Sequence, residues 1–461
     1  MWDDYKDRLT SLFKDFEGFV EVRLERKRTL SIRMRNGNIE SFNRTNNLGG
    51  FVRVLLPGRG WGVATLNSID KLEQAFKDAV EASRVLIPDE PIKLAEVKPV
   101  VDKVENIMED PYHAHSDEEK IDILRKHDEL MHQHGGGEIA VTTGVYAEVF
   151  TEKLYANSIG SLIEHKLSDG FVYAVAQAKR GSDVQQCMKS RSSRNRFSDL
   201  TKLDDMVIDA AKTAKALLDA KPVEGGVYTV VIDPRLAGVF IHEAFGHLSE
   251  ADFIIENPQA QKLMTLGRKF GPEFLNVIDD GTVMPELHGT IVYDDEGVPA
   301  QKTYLIKEGV LVGRLHSRET AGKLGEKPTG NARAQSYSFQ PLVRMTNTAI
   351  EPGPHSAEHI FDGIKLGVYA IDAYGGQTEL ENFSFSAGHA YMIRDGKVAE
   401  MVRDVVLQGN LFETLANIEQ IADDFQWGRW AGNCGKGGQS VPVDVGAPHI
   451  RIKNVTIGGR K

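Results

Sequence analysis

The stretch from Tyr228 to Ser249 limits the possible folds more than any other part of the sequence. It opens with a short run rich in β-branched residues that ends at Ile232 and predicts a strand. Asp233-Pro234 follows at once, a pair suited to the N-cap and first turn of a helix. We therefore expect a strand that leads directly into a helix running from Pro234 to about Ser249, with one apolar side.

Two histidines and a glutamate lie on this predicted helix, in the order His242, Glu243 and His247. The histidines are five positions apart, which on a regular α-helix separates them by about 140° around the axis. Two imidazoles cannot readily share one metal ion from such positions. We therefore predict that the helix is locally wide or broken between them, as in a π-type turn. Gly246 is the residue whose backbone best tolerates this distortion.

These residue types are typical of a catalytic zinc site. Zinc binds neutral imidazoles, and its catalytic sites use three protein ligands. A neighbouring carboxylate can act as general base, and Glu243 is placed for that role. For the third ligand we favour Cys434, because thiolate binds zinc strongly and the flanking glycines let a loop approach the metal closely. Glu250, on the same helix as the histidines, is the alternative. From the spacing alone, a metal-free pair of helix histidines is the competing interpretation.

The rest of the sequence predicts an α+β protein in three regions. Residues 1–100 contain strand patterns around a hairpin turn at Asn36-Gly37, followed by a helical pattern. Residues 101–220 repeat strands and a helix, and are compatible with one domain shared with the first region. Residues 221–461 are rich in hairpin signals and carry the histidine helix. Four prolines among charged residues predict a linker over 88–112.

Charge and cysteine content exclude several classes of partner. The net charge of -11 opposes nonspecific phosphate binding, and no basic cluster with interleaved aromatics is present. No stretch approaches the ~20 apolar residues that cross a bilayer, and the N-terminus lacks the pattern of a secretory signal. Two cysteines, Cys187 and Cys434, make no disulfide framework and favour a reducing compartment. We expect a cytoplasmic protein with neither nucleic-acid nor membrane partners.

The motifs together resemble the TldD/PmbA family of peptidases, whose catalytic branch carries HExxxH. Besides the histidine helix, the similar segments follow in the family's order along the chain. They are Gly49–Val54, Asp294–Pro299, Arg344–Asn347 and the glycine-rich Gly432–Gly438. The resemblance therefore covers nearly the whole sequence. It implies an α+β N-terminal portion followed by a strand-rich C-terminal domain that carries the HExxxH helix.

The resemblance also implies roles for individual residues. Carried over position by position, it gives His242, His247 and Cys434 as ligands of Zn²⁺ and Glu243 as general base. Because the family's catalytically silent branch lacks the histidine motif, this chain is similar to the active branch. Family members form dimers that enclose the active site, so a homodimer or a heterodimer with a silent sister subunit is expected.

The resulting expectation is a zinc-dependent peptidase that hydrolyses small or unfolded peptides in an enclosed dimeric chamber. Arg344 and Asn331, in the glycine-rich polar stretch 317–345, are candidate substrate contacts. Two alternatives stay open. One is a non-catalytic peptide-binding protein with a structural zinc, for which Glu250 or His389 could supply a fourth ligand. The other is a zinc amidase that acts on small molecules.

Overall fold

A long mixed sheet underlies the first part of the protein. The structure is a computed structural model that describes residues 2–104 and 109–458. Within those residues, seven strands form the first sheet in the order β3-β2-β1-β5-β6-β4, with β7 also paired to β6. Their bounds are β1 Phe19–Arg35, β2 Asn38–Leu55, β3 Trp61–Leu66, β4 Val101–Val104, β5 Ile139–Asn157, β6 Leu162–Arg180 and β7 Asp183–Arg194.

The predicted hairpin at Asn36-Gly37 is confirmed. The two residues have φ values of 45° and 72°, which suit the tight turn that joins twisted antiparallel strands. Strand β4 lies inside the predicted linker and runs parallel to the start of β6. A four-residue strand is hard to foresee because its pairing depends on a distant partner. Residues 105–108 of that predicted linker lie outside the described residues.

Four helices cover this sheet, and their apolar sides form two buried clusters with it. A capping box begins the third helix: the Ser116 hydroxyl accepts from the Glu119 amide, and the Glu119 side chain accepts from the Ser116 amide. The helices are α1 Asp3–Phe13, α2 Leu72–Val85, α3 Asp117–Gly135 and α4 Asp204–Leu217, with short 3₁₀ turns at Ile69–Lys71, Tyr112–Ala114, Gly136–Glu138 and Phe197–Leu200.

The C-terminal portion is rich in strands, and the histidine segment runs through its core. Its first elements are β8 Lys221–Pro222, β9 Gly226–Ile232 and α5 Pro234–Ile241, then a π turn His242–Gly246 and a 3₁₀ turn His247–Ser249. Next come α6 Ala251–Glu256, α7 Pro258–Leu263, β10 Val277–Asp280, β11 Lys302–Lys307, β12 Val310–Leu311, α8 Arg318–Leu324, β13 Ala332–Arg333, β14 Leu342–Val343 and β15 Asn347–Ile350.

The remaining elements are mostly strands joined by short turns. They are a 3₁₀ turn Ala357–His359, β16 Leu366–Glu379, β17 Asn382–Arg394, β18 Lys397–Arg403, β19 Val406–Asn410, α9 Leu411–Ala416, β20 Ile418–Ile421, β21 Gln426–Trp427, β22 Gly432–Lys436, β23 Gln439–Ala447 and β24 Ile450–Gly458. The stretch 317–345, which lacks periodicity in the sequence, holds only α8 and the short pair β13 and β14 among these elements.

Two larger sheets organise this portion. In the first, β16, β9, β24, β19 and β17 form a closed ring, because β16 pairs with both β9 and β17. Closure leaves these strands without free edges in the ring. The second has the order β12-β11-β10-β15-β23-β21, with β22 paired to β23. Helix α5 packs beside β15, β16 and β23, which places its C-terminal end between the two sheets.

The predicted α+β class, with strands and helices first and a strand-rich C-terminal portion after them, is confirmed. Strands from both of the first two predicted regions share the first sheet, and the division into 1–100, 101–220 and 221–461 stays a prediction. No helix in the described part of the chain is both long enough and apolar enough to cross a membrane.

Candidate metal centre

The histidine helix begins as the sequence predicts. Strand β9 ends at Ile232, and the Asp233 carboxylate accepts a hydrogen bond of 2.9 Å from the Leu236 amide, which caps the helix. The helix then widens at His242–Gly246 into a π turn, so the predicted distortion between the histidines is confirmed. In a π turn the bonding partner is five residues away rather than four. The wider turn therefore brings His242 and His247 together, with ring centroids 5.5 Å apart.

Gly246 serves this turn for a different reason from the one predicted. Its φ of -57° and ψ of -51° are ordinary helical values, so no unusual backbone freedom is used. Instead, a Cβ atom built on Gly246 would overlap the sulfur of the buried Met345 side chain. Glycine fits this position because Met345 packs against the bare backbone, and a larger residue would displace the Met345 side chain.

Cys434 joins the two histidines across the core. One ligand atom from each of His242, His247 and Cys434 can be chosen so that all three lie within 4.8 Å of one another. The Cys434 sulfur is 3.2 Å from His247 Nε2. His242 and Cys434 are buried, whereas His247 is partly exposed. Two imidazoles and a thiol at this separation form a donor set suited to zinc.

Cys434 reaches the site from a strand and not from the loop that its glycines predict. It lies in the middle of β22, opposite Val441 of β23. The turn of this hairpin is Gly437-Gly438, whose φ values of 56° and 73° need glycine or a similarly permissive residue. The pairing with β23 fixes the backbone of Cys434, so the sulfur is held in place by a sheet.

Glu250, the alternative ligand, contacts His247 rather than completing the donor group. Its Oε2 lies 3.1 Å from Nδ1 of His247, on the opposite side of the ring from Cys434. Lys436 donates to the same carboxylate at 2.9 Å and to Asp252 at 2.7 Å. Such a carboxylate orients the imidazole and fixes which nitrogen is free to bind a metal.

His242 has a corresponding support that the sequence analysis missed. Its Nδ1 lies 3.2 Å from the Thr348 hydroxyl, which donates at 3.2 Å to the buried Asp279 carboxylate. Asp279 sits within a short buried strand, where an ionisable side chain is unusual without partners. In the sequence Asp279 is followed by Asp280-Gly281, a pattern typical of a turn, so no local signal pointed to it. Nothing local in the sequence indicates Thr348.

The pKa values of Cys434 and His247 are shifted in the directions expected of a site that binds a cation. Burial alone would raise the pKa of the Cys434 thiol, but the imidazoles of His242 and His247 outweigh it and lower the pKa to about 5. Burial lowers the pKa of His247, whereas Glu250 and Cys434 outweigh burial and raise it to about 11. These interactions therefore favour positive charge on the imidazoles next to negative charge on the sulfur. A metal ion can replace that charge by releasing the protons.

Glu243 lies at the open side of the group. Its Oε2 is 3.8 Å from His247 Nε2, and its side chain is 33% exposed. The carboxylate can therefore reach both solvent and the donor atoms. A group in this position can exchange protons with a water or a substrate at the site.

The other predicted site residues lie in the surrounding shell. Arg344 is fully buried and donates to the backbone carbonyl of Cys434. Asn331 is buried as well, and its amide donates to Asp279 at 2.8 Å and to the Arg344 carbonyl at 3.0 Å. Their use as substrate contacts stays a prediction. His389, considered as a fourth ligand, is on β17 and outside the group of three.

Three domain models of one protein family match successive stretches of this chain. Residues 20–83 match the PmbA/TldA metallopeptidase domain 1, residues 110–218 the central domain, and residues 225–459 the C-terminal domain. A metalloprotease of Synechocystis sp. is 45% identical over 445 residues, which are 96% of this chain and 95% of that protein. A zinc metalloprotease TldD homolog of Saccharolobus solfataricus is 30% identical over 411 residues, 88% of this chain and 89% of that one.

Solved structures show the same fold. One from Thermotoga maritima has a TM-score of 0.82 at 23% identity and covers 99% of this chain and all of its own. TldE from Thermococcus kodakarensis has a TM-score of 0.79 at 20% identity, with 98% of this chain and 100% of its own covered.

A helix with two histidines and a glutamate, set in this fold, defines a hydrolase of the metallopeptidase class. The matches to all three domain models, together with relatives that align over nearly the full length, identify the family within that class. This chain belongs to the PmbA/TldD family of metallopeptidases.

Proposed function

We propose that this chain is a zinc-dependent peptidase that hydrolyses small or unfolded peptides. The observation that carries the proposal is the group formed by His242, His247 and Cys434, whose ligand atoms lie within 4.8 Å of one another, with Glu243 beside it. A set of three protein donors leaves a fourth zinc position for chemistry, whereas structural sites usually use four. The carboxylate next to an open position is what peptide hydrolysis requires.

The proposed reaction assigns proton transfer to Glu243 and the orientation of the two histidines to Thr348 and Glu250. When bound, zinc supplies a Lewis acid that polarises a scissile carbonyl and makes an adjacent water more acidic. Glu243 takes the proton of the attacking water and delivers it to the leaving amine. Thr348 and Glu250 hold the second ring nitrogens of the two histidines, so that the other nitrogens face the ion.

Recognition through the peptide backbone agrees with the strand that carries Cys434. In the described residues β22 pairs with β23 along one side only, so an extended peptide could add to its other side. Backbone pairing reads any sequence, which suits unfolded substrates. Arg344 and Asn331 are the proposed side-chain contacts of the substrate. Arg344 lies next to this strand, because it donates a hydrogen bond to the Cys434 carbonyl.

The proposed function also includes an oligomeric state and a cellular location. We propose an enclosed chamber formed by a homodimer or by a heterodimer with a silent sister subunit. The shared fold with TldE from Thermococcus kodakarensis is compatible with pairing between related chains. A cytoplasmic location suits the site, because a reducing compartment keeps Cys434 available as the free thiol it is here.

The test is metal content together with peptide hydrolysis for the purified chain and three variants. We expect about one zinc ion per wild-type chain, lost in Cys434→Ser and retained in Cys187→Ser, the matched change at the other cysteine. Glu243→Gln should keep the zinc and lose about 10²-fold or more in hydrolysis of an unfolded peptide. Full turnover by Glu243→Gln would refute the assigned base, and zinc retained by Cys434→Ser would refute the donor set. Hydrolysis of simple amides with no activity on peptides would instead indicate an amidase.

A further inference from the structure

A second, separate cavity lies between the first sheet and the C-terminal portion. Its volume is about 170 Å³. Asn433 of β22 lines it, next to Cys434 in sequence. Because neighbouring side chains of a strand point to opposite faces, this cavity and the metal centre lie on different sides of β22. None of the side chains of His242, Glu243 or His247 borders it.

The floor of the cavity is one face of the first sheet. Alternate residues of three adjacent strands point into it, as the two-residue period of a strand requires. They are Arg23, Glu25 and Lys27 from β1, Val149, Thr151, Lys153 and Tyr155 from β5, and Ile163, His165, Leu167, Asp169 and Phe171 from β6. Residues of the C-terminal portion line its other side.

Most of the charged groups around the cavity already have partners. Lys153 donates to Asp295 at 2.9 Å, and Arg194 donates to Asp169 at 2.8 Å. Arg333 donates to two backbone carbonyls, at 2.6 Å and 2.7 Å. These groups are therefore not available to a ligand without breaking existing bonds.

Two buried groups of opposite charge keep bonding capacity. Arg23 is 2% exposed, and its Nη2 donates to the carbonyls of Ser336 and Phe339 at 3.2 Å and 2.6 Å. Its Nε and Nη1 have no hydrogen-bond partner, although Nη1 lies 3.5 Å from Asp295.

Glu25 is 1% exposed; its Oε2 lies 3.8 Å from Lys153 Nζ, and its Oε1 has no partner. Nε2 of His165, another buried lining residue, is also without one. Leaving buried charged groups incompletely bonded costs free energy, so a partner at this place is favoured.

The unpaired atoms specify the chemistry of that partner. Guanidinium N–H groups suit a carboxylate, and a carboxylate oxygen suits an ammonium group. A simple anion would form an ion pair with Arg23 but would be repelled by the Glu25 carboxylate. Ile163, Leu167 and Phe171 add hydrocarbon to a lining that is otherwise largely polar. We propose that this cavity binds a free zwitterionic α-amino acid with an apolar side chain, its carboxylate on Arg23 and its ammonium on Glu25.

The size of the cavity agrees with such a ligand. A single water needs about 10–15 Å³ on this measure, so about 170 Å³ leaves room for a small amino acid. The site is independent of the metal centre, so the proposal holds whether or not that centre hydrolyses peptides.

The test is calorimetric titration of the full chain with L-leucine. Leucinamide, which lacks the carboxylate, and 4-methylpentanoate, which lacks the ammonium group, should bind about ten- to a hundredfold more weakly. Glu25→Gln should weaken leucine binding by a similar factor. Glu152→Gln is the matched control, because Glu152 precedes Lys153 on β5 and points to the other sheet face. Cys434→Ser should leave leucine binding unchanged, which separates this site from the metal centre.

Three results would overturn the proposal. No binding of leucine at millimolar concentration would mean that the cavity holds water only. Equal binding by wild type and Glu25→Gln, or loss of binding in Cys434→Ser, would place the ligand elsewhere. Circular dichroism of each variant checks folding. If Glu25→Gln fails to fold, Arg23→Lys replaces it, since it keeps the positive charge but loses the planar pair of donors.

Discussion

Each imidazole of the metal centre uses its second ring nitrogen to contact a side chain outside the donor set. His247 contacts Glu250, which Lys436 holds in turn, and His242 contacts Thr348, which leads to Asp279. These contacts fix the rotation of both rings before any ion arrives. A site with preset rings loses less conformational freedom on binding, so the outer residues should set affinity as much as the donors do.

Glu250→Gln tests this at the scale of one residue. The substitution keeps the shape of the side chain but removes the charge that supports His247, so we expect zinc affinity to fall about 10- to 100-fold. Competition with a chromophoric chelator measures the change. Glu256→Gln, at an exposed glutamate of the neighbouring helix α6, is the matched control and should leave affinity unchanged. Equal affinities of the two variants would contradict an orienting role for Glu250.

Residue types and spacing pointed to the group of His242, His247 and Cys434 but left Glu250 as an alternative ligand and a metal-free histidine pair as a competing interpretation; the family resemblance favoured the three. The supporting residues could not be predicted in the same way. Thr348 and Asp279 reach His242 from strands separated from it in sequence, and a threonine or a lone aspartate has many ordinary uses. Only the packing of β10 and β15 beside the helix gives them this function.

At the scale of the element, the π turn depends on what packs against it. Gly246 has regular helical dihedrals, and the Met345 sulfur occupies the space that a side chain at this position would need. The sequence predicted the widened turn from the histidine spacing, but the role of the glycine required the structure. A side chain at this position would push apart the helix and the segment that precedes β15.

Gly246→Ala should therefore destabilise the protein by about 1–3 kcal/mol through overpacking. The same change should weaken zinc binding, because His247 follows directly. Urea denaturation and metal titration measure the two effects. Gly137→Ala is the control, since a Cβ atom there meets nothing within 4 Å, and it should change stability little. Unchanged stability of Gly246→Ala would show that Met345 can move aside without cost.

Helix α3 carries a buried histidine that predicts a pH effect. Burial lowers the pKa of His127 from 6.5 to about 4. Between these values the unfolded chain binds a proton that the folded chain does not, so stability is lost as pH falls from 6.5 towards 4. The loss attributable to His127 is about 2 kcal/mol at pH 5.

His127→Leu should remove this part of the acid sensitivity. The difference in unfolding free energy between pH 7 and pH 5 should become smaller by about that amount, measured by urea denaturation at both pH values. His134→Leu changes an exposed histidine on the same helix and should keep the wild-type difference. The same pH dependence in wild type and His127→Leu would mean that His127 is not the source.

Helices and hairpins were predictable where the pattern is local: the Asn36-Gly37 turn and the start of α5 both depend on neighbours in sequence. The strand character of β4 and β22 was not. Both are short, and each becomes a strand only because a longer partner, β6 or β23, pairs with it. Proline and glycine near them favour turns, and this local signal suggested a linker and a loop.

At the scale of the whole molecule, buried charges connect the first sheet to the C-terminal portion. Arg53 donates to Glu21 of its own sheet and to Glu296 of the C-terminal portion, both within 3 Å and all three buried. Glu296 also accepts from the Arg318 amide at 2.7 Å. This junction fixes how the two portions meet, and sequence patterns cannot show it because the three residues are far apart in the chain.

Arg53→Met should destabilise the protein by about 3–5 kcal/mol, because it leaves two buried carboxylates without their cation. The midpoint of urea denaturation measures the effect. Arg394→Met is the control: Arg394 pairs with Glu400 in solvent, and its loss should cost no more than about 1 kcal/mol. Equal stabilities of the two variants would contradict a structural role for the junction.

Cys434 follows His247 by 187 positions, and its strand is complete only when β23 pairs with it. During synthesis the histidine helix therefore leaves the ribosome long before the thiol that completes the donor group. Domains fold as the chain emerges, yet a nascent chain that has reached only β17 has two of the three donors. The proposed zinc site cannot form in a chain that lacks Cys434, so hydrolysis by that site must wait until β22 and β23 have been synthesised.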